Sequence, residues 1–265
     1  MNCETAIIEK LDRLKSRIKP YRSVLVAYSG GVDSTLLLSV SAQVLGSEVT
    51  AVTVRHMAHS DEEMLAARQL TQALGVRHHI LDASAACRPL FNQNDAERCY
   101  LCKRLIFEML LAEAGRYDIE AVLDGSHTED LTEERPGMRA LAELGIAMPL
   151  REAGLNKRDI RLISKYLSLP TYNKPARPCL ATRFPPGEAI DDSKLQMVQK
   201  AETYLAGLGI EDCRVRYRDG EARIETTRAG LSILLDMGIL TGLDETLSAI
   251  GFSGVLLDLK GRRGQ

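Results

Sequence analysis

The sequence predicts an α/β protein, with a doubly wound parallel sheet followed by a small C-terminal α+β domain. In the first 165 residues, short apolar runs alternate with longer segments of helical periodicity, as is typical of parallel sheets. Five of the nine prolines then fall between 170 and 186, where neither a regular helix nor an interior strand can form. Beyond them, Asp219-Gly220 separates two alternating runs, which is a strong signal for a β-hairpin.

The first part of the chain contains four predicted strands, and a predicted helix follows each of them. Because neighbouring parallel strands need a crossover connection, this alternation places helices on both faces of one sheet. Ligands of such sheets bind at the carboxyl ends of the strands. The predicted strands are 23–28, 48–54, 76–81 and 120–125, and the helices are 35–45, 60–75, 99–115 and 156–169.

The remainder of the chain is predicted to form a connector and a second domain. We assign 1–170 to the sheet domain, 171–187 to a proline-rich connector that carries Cys179, and 188–265 to the α+β domain. The second domain is predicted to contain a helix at 191–207, strands at 213–218 and 221–226, one or two further helices, and a strand at 254–259.

Composition and charge exclude several classes of function. Hydrophobic residues make up 45% of the 265 residues and charged residues 26%, which is ordinary for a globular protein. The formal net charge of −2 gives no general affinity for polyanions, so we expect no nucleic-acid partner. No apolar run approaches the roughly 18 residues of a membrane span, and the N-terminal pattern is an amphipathic helix, not a signal peptide. These features predict a cytoplasmic protein whose six cysteines are reduced.

A glycine-rich turn, "SGGVDS", follows the first predicted strand directly. It lacks both the Gly-x-x-x-x-Gly-Lys-Ser/Thr pattern of a Walker A loop and the Gly-x-Gly-x-x-Gly pattern of a dinucleotide loop. Free N–H groups at the following helix start, with the hydroxyls of Ser29 and Ser34, form a site suited to a pyrophosphate. Gly30 and Gly31 let the phosphates approach the backbone. Asp33 would repel them unless it binds a divalent cation, so the turn predicts ATP with Mg²⁺.

These residues resemble the PP-loop of the ATP pyrophosphatase superfamily. The resemblance implies an adenine nucleotide alpha hydrolase-like fold and cleavage of ATP between its α and β phosphates. Members adenylate a carboxylate or carbonyl oxygen, release pyrophosphate, and let a nucleophile displace AMP. Membership in this superfamily does not identify the nucleophile, which can be ammonia, an amine or sulfur. The cysteines of the chain therefore bear on this choice.

Three cysteines lie at positions where a reactive or ligand-binding thiol is more expected than a buried packing residue. Cys99 and Cys102 lie at i and i+3 at a predicted helix start, where the helix dipole favours a thiolate. Cys179 lies in the proline-rich connector between Arg177 and Arg183, whose charges would lower the pKa of its thiol. A Cys-x-x-Cys pair by itself leaves redox chemistry, zinc and iron–sulfur open. Small buried packing residues are expected at Cys3, Cys87 and Cys213.

Several longer blocks together resemble the LarE family of ATP-dependent sacrificial sulfur transferases. They are "ERCYLCK", "DGSHTEDLTEERPGMRAL", "PLREAGLNKRDIR", "KPARPCLATRFPPGEAI" and "CRVRYRDGEARIE", and they run through nearly the whole chain. The resemblance implies a small-molecule nucleotide substrate, pyridinium-3,5-biscarboxylic acid mononucleotide. A carboxylate of this substrate would be adenylated and become a thiocarboxylate on the way to the nickel-pincer nucleotide cofactor. It also implies a sulfide donor and a homo-oligomer, possibly a hexamer.

The resemblance also implies roles for individual residues. In one branch of the family a loop cysteine matching Cys179 gives up its sulfur and becomes dehydroalanine, and the Cys-x-x-Cys pair is absent. In another branch, three cysteines matching Cys99, Cys102 and Cys179 hold a 4Fe-4S cluster, and three thiolates leave one iron open for sulfide. The presence of all three here favours the cluster branch. The substrate site would be lined by Lys103, Glu202, Arg214 and Arg216, and the chemistry would fall to Cys179, Asp33 and Glu202.

Arg214 and Arg216 can also be placed from the sequence alone. Alternation on a strand puts both on one face, and guanidinium groups pair bidentately with phosphate and carboxylate. Three rival functions remain open. One is a PP-loop tRNA thiolase, against which the net charge counts. The others are an amidating or nitrile-forming PP-loop enzyme with structural zinc, and a nucleotide sensor of the universal-stress type.

Overall fold

The computed structural model describes residues 3–59, 61–131, 136–175 and 178–261. The chain forms two compact units, Met1–Cys87 with Glu97–Ala176, and Arg88–Ala96 with Arg177–Gln265. None of the helices in the described ranges is both long enough and apolar enough to cross a membrane.

The first unit is built on a four-stranded sheet in the order β3-β2-β1-β4. All of its strand pairs are parallel, which confirms the predicted fold class. The chain moves outward from β1 to β2 and β3 and then returns to pair β4 with the other side of β1. A crevice is therefore expected at the carboxyl ends of β1 and β4, where the strand order reverses. The strands are β1 (Val24–Ala27), β2 (Val49–Arg55), β3 (Arg77–Asp82) and β4 (Ala121–Leu123).

Helices account for most of the remaining residues of this unit, and one of them, α4, begins in it and continues into residues of the second unit. The short helices α6 and α7 were not predicted, nor was α4, where Pro89 lies inside the helix and interrupts the helical pattern. Its apolar side chains Cys87 and Phe91, four residues apart, are nevertheless fully buried. The helices are α1 (Cys3–Ile18), α2 (Val32–Leu45), α3 (Asp61–Ala73), α4 (Ser84–Gln93), α5 (Arg98–Arg116), α6 (Pro136–Glu143), α7 (Pro149–Glu152) and α8 (Lys157–Tyr166).

The core of the first unit surrounds α2. Three consecutive leucines of this helix, Leu36, Leu37 and Leu38, are fully buried, so apolar contacts cover more than one side of it. It packs against the strands and against α1 and α8. Burial of one such side chain contributes about 1.5–3 kcal/mol to the stability of the fold. Displacing the helix would expose several of them, so its position is fixed. The start of α2 is thereby held rigidly at the carboxyl end of β1.

The second unit is a small α+β fold, as predicted. Strands β5 and β6 are antiparallel and joined at Asp219 and Gly220, whose φ values of 50° and 89° are those of a tight hairpin turn. Strand β7 pairs with β6 in parallel. The elements are α9 (Asp192–Gly207), β5 (Cys213–Arg218), β6 (Glu221–Thr226), α10 (Arg228–Leu234), α11 (Met237–Ile250) and β7 (Gly254–Leu257).

Residues 88–96 belong to the second unit, although they lie inside the predicted sheet domain. The side-chain amide of Asn94 donates to the carbonyl oxygens of Pro185 and Glu188, at 2.8 and 2.7 Å. The Gly187 N–H in turn donates to the Asn94 carbonyl at 2.8 Å. These bonds join Asn94 to residues 185–188, which also fall within the second unit.

Candidate active site

The glycine loop, residues 29–34, joins the end of β1 to the start of α2. Gly30 has a φ of 70°, a left-handed conformation that other residues adopt only with strain. Gly31 is extended and forms the N-cap of α2. The hydroxyl oxygens of Ser29 and Ser34 lie 3.1 Å apart, and Ser34 Oγ accepts the Ser29 N–H at 3.3 Å. The loop is therefore shaped by its own hydrogen bonds.

The first turn of α2 is open to an anion. No side chain caps the backbone N–H groups at this helix start, so they keep their capacity to donate. A Cβ placed on Gly31 would meet the Ser29 hydroxyl at 3.4 Å, an ordinary contact. Uncapped N–H groups, two hydroxyls and the positive end of a helix dipole are donors for phosphate oxygens. The residues present therefore fit the phosphates of ATP.

Alanine substitutions at the two glycines are expected to have different effects. Gly30→Ala should lower the free energy of unfolding by about 1–2 kcal/mol, because its φ is left-handed. Gly31→Ala should leave stability unchanged, since its φ of −79° suits alanine, but should weaken ATP binding by occupying the ligand's space. Urea unfolding and ATP titration measure the two effects. Unchanged ATP affinity in Gly31→Ala would show that phosphates bind elsewhere.

Two lysines that the sequence motifs did not single out lie against the glycine loop. The Lys157 ammonium is 2.6 and 2.8 Å from the two carboxylate oxygens of Asp33, and about a quarter of each side chain is exposed. Lys174 Nζ donates to the Gly30 carbonyl at 2.9 Å. Asn156 caps α8 through a capping box with Asp159, which fixes Lys157 as the first helical residue. The loop therefore has two cations beside it.

The segment after β4 approaches the same helix start, and its Asp124 binds Lys103 of α5. A Cβ on Gly125 would lie only 3.2 Å from the Ser34 nitrogen, so the backbone here needs glycine for close packing. The adjacent carboxylate of Asp124 accepts from Lys103 Nζ at 3.0 Å and from the Ser126 N–H at 2.8 Å. Burial alone would raise the pKa of Asp124, but the Lys103 ammonium and the Ser126 hydrogen bonds outweigh it and lower the pKa. The carboxylate therefore stays charged and anchors Lys103.

The Cys-x-x-Cys pair occupies the first turns of α5, as predicted, but its two thiols differ. Cys99 is exposed, and Arg98 Nη2 donates to its sulfur at 3.6 Å. Cys102 is half-buried, and a hydrogen bond with the buried Cys87 thiol, together with desolvation, raises its pKa well above the usual range. The expectation that this helix start favours a thiolate is therefore wrong for Cys102, because the contact with Cys87 and burial outweigh the dipole. Burial of Cys87 and Cys213 is confirmed, and the side chain of Cys3 lies outside the described residues.

In the second unit, Cys179 is exposed at the start of a short 3-10 helix, Leu180–Arg183. Thr182 donates both its N–H and its hydroxyl to the Cys179 carbonyl, at 2.9 and 2.8 Å. Arg183 is 97% buried and forms a bidentate pair with Glu202, with N–O distances of 2.7 and 3.0 Å. The charge of Arg183 is therefore directed at Glu202, and Arg177 lies outside the described residues.

The Arg183–Glu202 pair is expected to be structural for the cysteine turn. Arg183 Nη1 also donates to the Pro178 carbonyl at 3.1 Å, so the guanidinium holds the residue before Cys179. Glu202→Gln leaves a buried charge without its partner and should lower the free energy of unfolding by about 3–5 kcal/mol. Thermal or urea unfolding measures this effect, and the exposed Glu211→Gln serves as a control. Equal stability of the two variants would rule out this role.

Arg214 and Arg216 share one face of β5, as predicted. Both are half-buried and flank the fully buried Val215. Arg216 Nε donates to Glu225 at 3.1 Å, and its guanidinium also donates to the Thr182 carbonyl. Glu202 Oε1 accepts the Val215 N–H at 3.0 Å, which joins α9 to the same strand. Arg216 and Glu202 therefore both contact residues of the turn that carries Cys179.

The predicted cluster ligands are divided between the two units. Cys99 and Cys102 belong to the first and Cys179 to the second. None of the three forms a disulfide. Within the described parts of the chain, no three His, Cys, Asp or Glu side chains are grouped in a way that could hold a metal ion.

Comparison with known proteins supports the resemblance of the glycine loop to a PP-loop. Residues 3–143, more than half of the chain, match the model of the PP-loop domain family. A protein of Synechocystis sp. without an assigned function is 38% identical over 252 residues, which are 95% of this chain and 94% of that protein. The pyridinium-3,5-bisthiocarboxylic acid mononucleotide synthase of Lactiplantibacillus plantarum is 34% identical over 251 residues, 94% of this chain and 90% of the synthase.

Identity at this level over nearly the full length of both chains indicates a shared fold and a shared family. The PP-loop match covers β1, the glycine loop and α2, where the uncapped helix start lies. The similarity to the synthase extends well beyond that domain. This protein belongs to the LarE family of PP-loop enzymes, which are ATP-dependent sulfur transferases.

Proposed function

We propose that this enzyme adenylates a carboxylate of pyridinium-3,5-biscarboxylic acid mononucleotide and replaces AMP with sulfur, giving a thiocarboxylate. The observation that carries the proposal is the uncapped start of α2 behind Gly30 and Gly31, with Asp33 in its first turn. Full-length similarity to a pyridinium-3,5-bisthiocarboxylic acid mononucleotide synthase supports the choice of substrate.

The first half-reaction releases pyrophosphate. A carboxylate oxygen of the substrate attacks the α-phosphorus of ATP, and the bond from that phosphorus to the bridging oxygen breaks. The pyrophosphate leaves toward the uncapped N–H groups of α2, with Lys157 and Lys174 beside the loop to balance its charge. Asp33 would hold Mg²⁺, which neutralises phosphate oxygens when bound; Lys157 now occupies both carboxylate oxygens and would have to release one.

The second half-reaction forms the carbon–sulfur bond. A sulfur nucleophile attacks the carboxyl carbon of the acyl adenylate, the carbon–oxygen bond to the phosphate breaks, and AMP leaves. Lys103, anchored by Asp124, is proposed to bind an anionic group of the substrate. Arg214 and Arg216 are proposed to bind its phosphate and second carboxylate.

The sulfur is proposed to come from sulfide held by a 4Fe-4S cluster. Cys99, Cys102 and Cys179 are not in disulfides, and cysteine sulfur is the donor that such a cluster takes, so these three would be its ligands; Cys102 would have to release its contact with Cys87. When bound, the cluster would present sulfide at its open iron. The alternative is that Cys179, exposed on its turn, gives up its own sulfur.

Loss of Arg216 is expected to weaken substrate binding. Arg216→Ala should raise the dissociation constant of the biscarboxylate nucleotide by an amount equivalent to about 1–3 kcal/mol, because a charged hydrogen bond is lost. ATP affinity should not change. Arg218→Ala, an exposed arginine on the same strand, is the control. A selective loss of ATP affinity in Arg216→Ala would show that this arginine binds ATP and not the biscarboxylate nucleotide.

The proposed reaction can be tested directly. The enzyme is incubated anaerobically with ATP, Mg²⁺, sulfide and the biscarboxylate nucleotide, and products are followed by mass spectrometry. We expect thiocarboxylate, AMP and pyrophosphate in equal amounts. Bulk tRNA replaces the nucleotide in a parallel reaction. Thiolated tRNA without thiocarboxylate would favour the tRNA thiolase.

A further inference from the structure

A polar pocket lies at the amino-terminal edge of the parallel sheet, at the opposite ends of the strands from the glycine loop. Its volume is about 290 Å³. Its walls come from the residue before β1, the starts of β2 and β3, and the segment between α5 and β4. Nothing in the proposed reaction uses this pocket.

One wall of the pocket carries a histidine oriented by a buried carboxylate. His79 Nδ1 is 3.1 Å from Oε1 of Glu113, whose side chain is 7% exposed. A carboxylate only accepts, so Nδ1 carries the proton in this pair. The Tyr117 ring packs edge-on against the imidazole at a centroid distance of 5.1 Å. Nε2 is therefore the ring nitrogen left for a ligand.

The inner surface around His79 offers hydrogen-bond donors. Arg77 lies two residues before it on the same face of β3; it is exposed, and its Nη2 donates to the Ser47 carbonyl at 2.9 Å, so its other N–H groups are the ones proposed for a ligand. Thr50 is in register with Arg77 on β2. The Ser23 hydroxyl accepts the Glu120 N–H at 3.1 Å, which leaves its own proton to donate. Ser23 and Thr50 are both buried. Hydroxyls and a guanidinium on one surface are suited to an oxyanion.

The acidic groups of the pocket are confined to its rim. Asp118 is almost fully exposed and lies 3.7 Å from the exposed Arg22 guanidinium. Glu48 is exposed and accepts from the neighbouring Ser47 hydroxyl at 3.1 Å. These exposed carboxylates therefore leave room for an anion to enter the pocket, although their negative charge lowers its binding affinity. A phosphate fits better than a sulfate, because its remaining proton can be donated to the ring nitrogen that faces away from Glu113.

We propose that this pocket is a second anion site, separate from the glycine loop, which binds a phosphate group as the free ion or as a small phosphate monoester. The donors are Arg77, Ser23 and Thr50, and Nε2 of His79 is the acceptor for the remaining proton of the phosphate. This pocket is separate from the proposed active site, so the proposal does not depend on the reaction proposed above.

Imidazole ¹⁵N NMR of the full-length protein tests the proposal at the site itself. The five histidines give few signals, and His79→Gln identifies that of His79. We expect inorganic phosphate to shift the His79 signal saturably, which phosphate bound at the glycine loop would not do. Glycerol 3-phosphate is titrated in parallel, and the tighter ligand shows whether the free ion or the monoester is preferred. Sodium chloride at matched ionic strength is the control.

Two variants complete the test. Arg77→Gln should weaken phosphate binding about tenfold or more, since a charged hydrogen bond is lost. Glu48→Gln removes a rim charge from an exposed position and should tighten binding about two- to threefold. Circular dichroism checks that both are folded. An immobile His79 signal, an equal shift with chloride, or unchanged affinity in both variants would overturn the proposal.

Discussion

Asp33→Asn is expected to reduce pyrophosphate release on the order of 100-fold or more while the protein remains folded. The side chain lies in the first turn of α2, beside the N–H groups proposed to hold the phosphates. Asparagine keeps its shape but loses the charge that would hold Mg²⁺ next to them. An ATP–pyrophosphate exchange assay with the biscarboxylate nucleotide measures the effect, and thermal unfolding checks the fold.

The salt bridge to Lys157 provides a second explanation that the same experiment must separate. If Asp33 served only to position Lys157, Lys157→Gln alone would cost as much as Asp33→Asn, and the double variant would cost no more. If Asp33 holds Mg²⁺, Asp33→Asn should also raise the Mg²⁺ concentration required for half-maximal rate, whereas Lys157→Gln should not. Exchange at the parent rate in Asp33→Asn would contradict the assignment of the loop.

The fold and the glycine loop could be predicted because their signals are local. A continuous apolar run, two glycines and a helical pattern identify β1, residues 29–34 and α2 without reference to any distant residue. The Asp-Gly hairpin and the shared face of Arg214 and Arg216 are local in the same sense. The proposed substrate rests on family resemblance, because no local pattern of this kind encodes a substrate.

The contacts within the site could not be predicted, because they join residues far apart in the chain. Lys157 reaches Asp33 across 124 residues, and Arg183 meets Glu202 from a different element. Cys87 was expected to be only a packing residue, yet it hydrogen-bonds Cys102 and raises the pKa of that thiol. Helix position alone had indicated the opposite direction for Cys102. Only the tertiary fold shows which effect is larger.

The cysteine variants are expected to separate the two sources of sulfur. Cys99→Ser should abolish thiocarboxylate formation if Cys99, Cys102 and Cys179 hold a cluster, because one ligand is lost. It should be tolerated if Cys179 alone supplies the sulfur. Cys213→Ala, a buried cysteine of β5 outside this set, is the control. ATP–pyrophosphate exchange should persist in Cys99→Ser in either case, which separates loss of sulfur transfer from loss of the fold.

The mass of the protein after turnover is expected to remain unchanged, with several products formed per chain when sulfide is supplied. A sacrificial Cys179 would attack the acyl adenylate and expel AMP, and cleavage of its Cβ–S bond with loss of the Cα proton would then leave dehydroalanine. That course removes about 34 Da, the mass of hydrogen sulfide, from the chain for each product. A cysteine that serves only as a ligand keeps its sulfur. Intact-protein mass spectrometry under anaerobic conditions distinguishes the two, since a loss of this size matched one-to-one with product is incompatible with the cluster. Cys99 and Cys102 are the reason to expect the unchanged mass, because a sacrificial thiol in the second unit needs no cysteine pair at the start of α5.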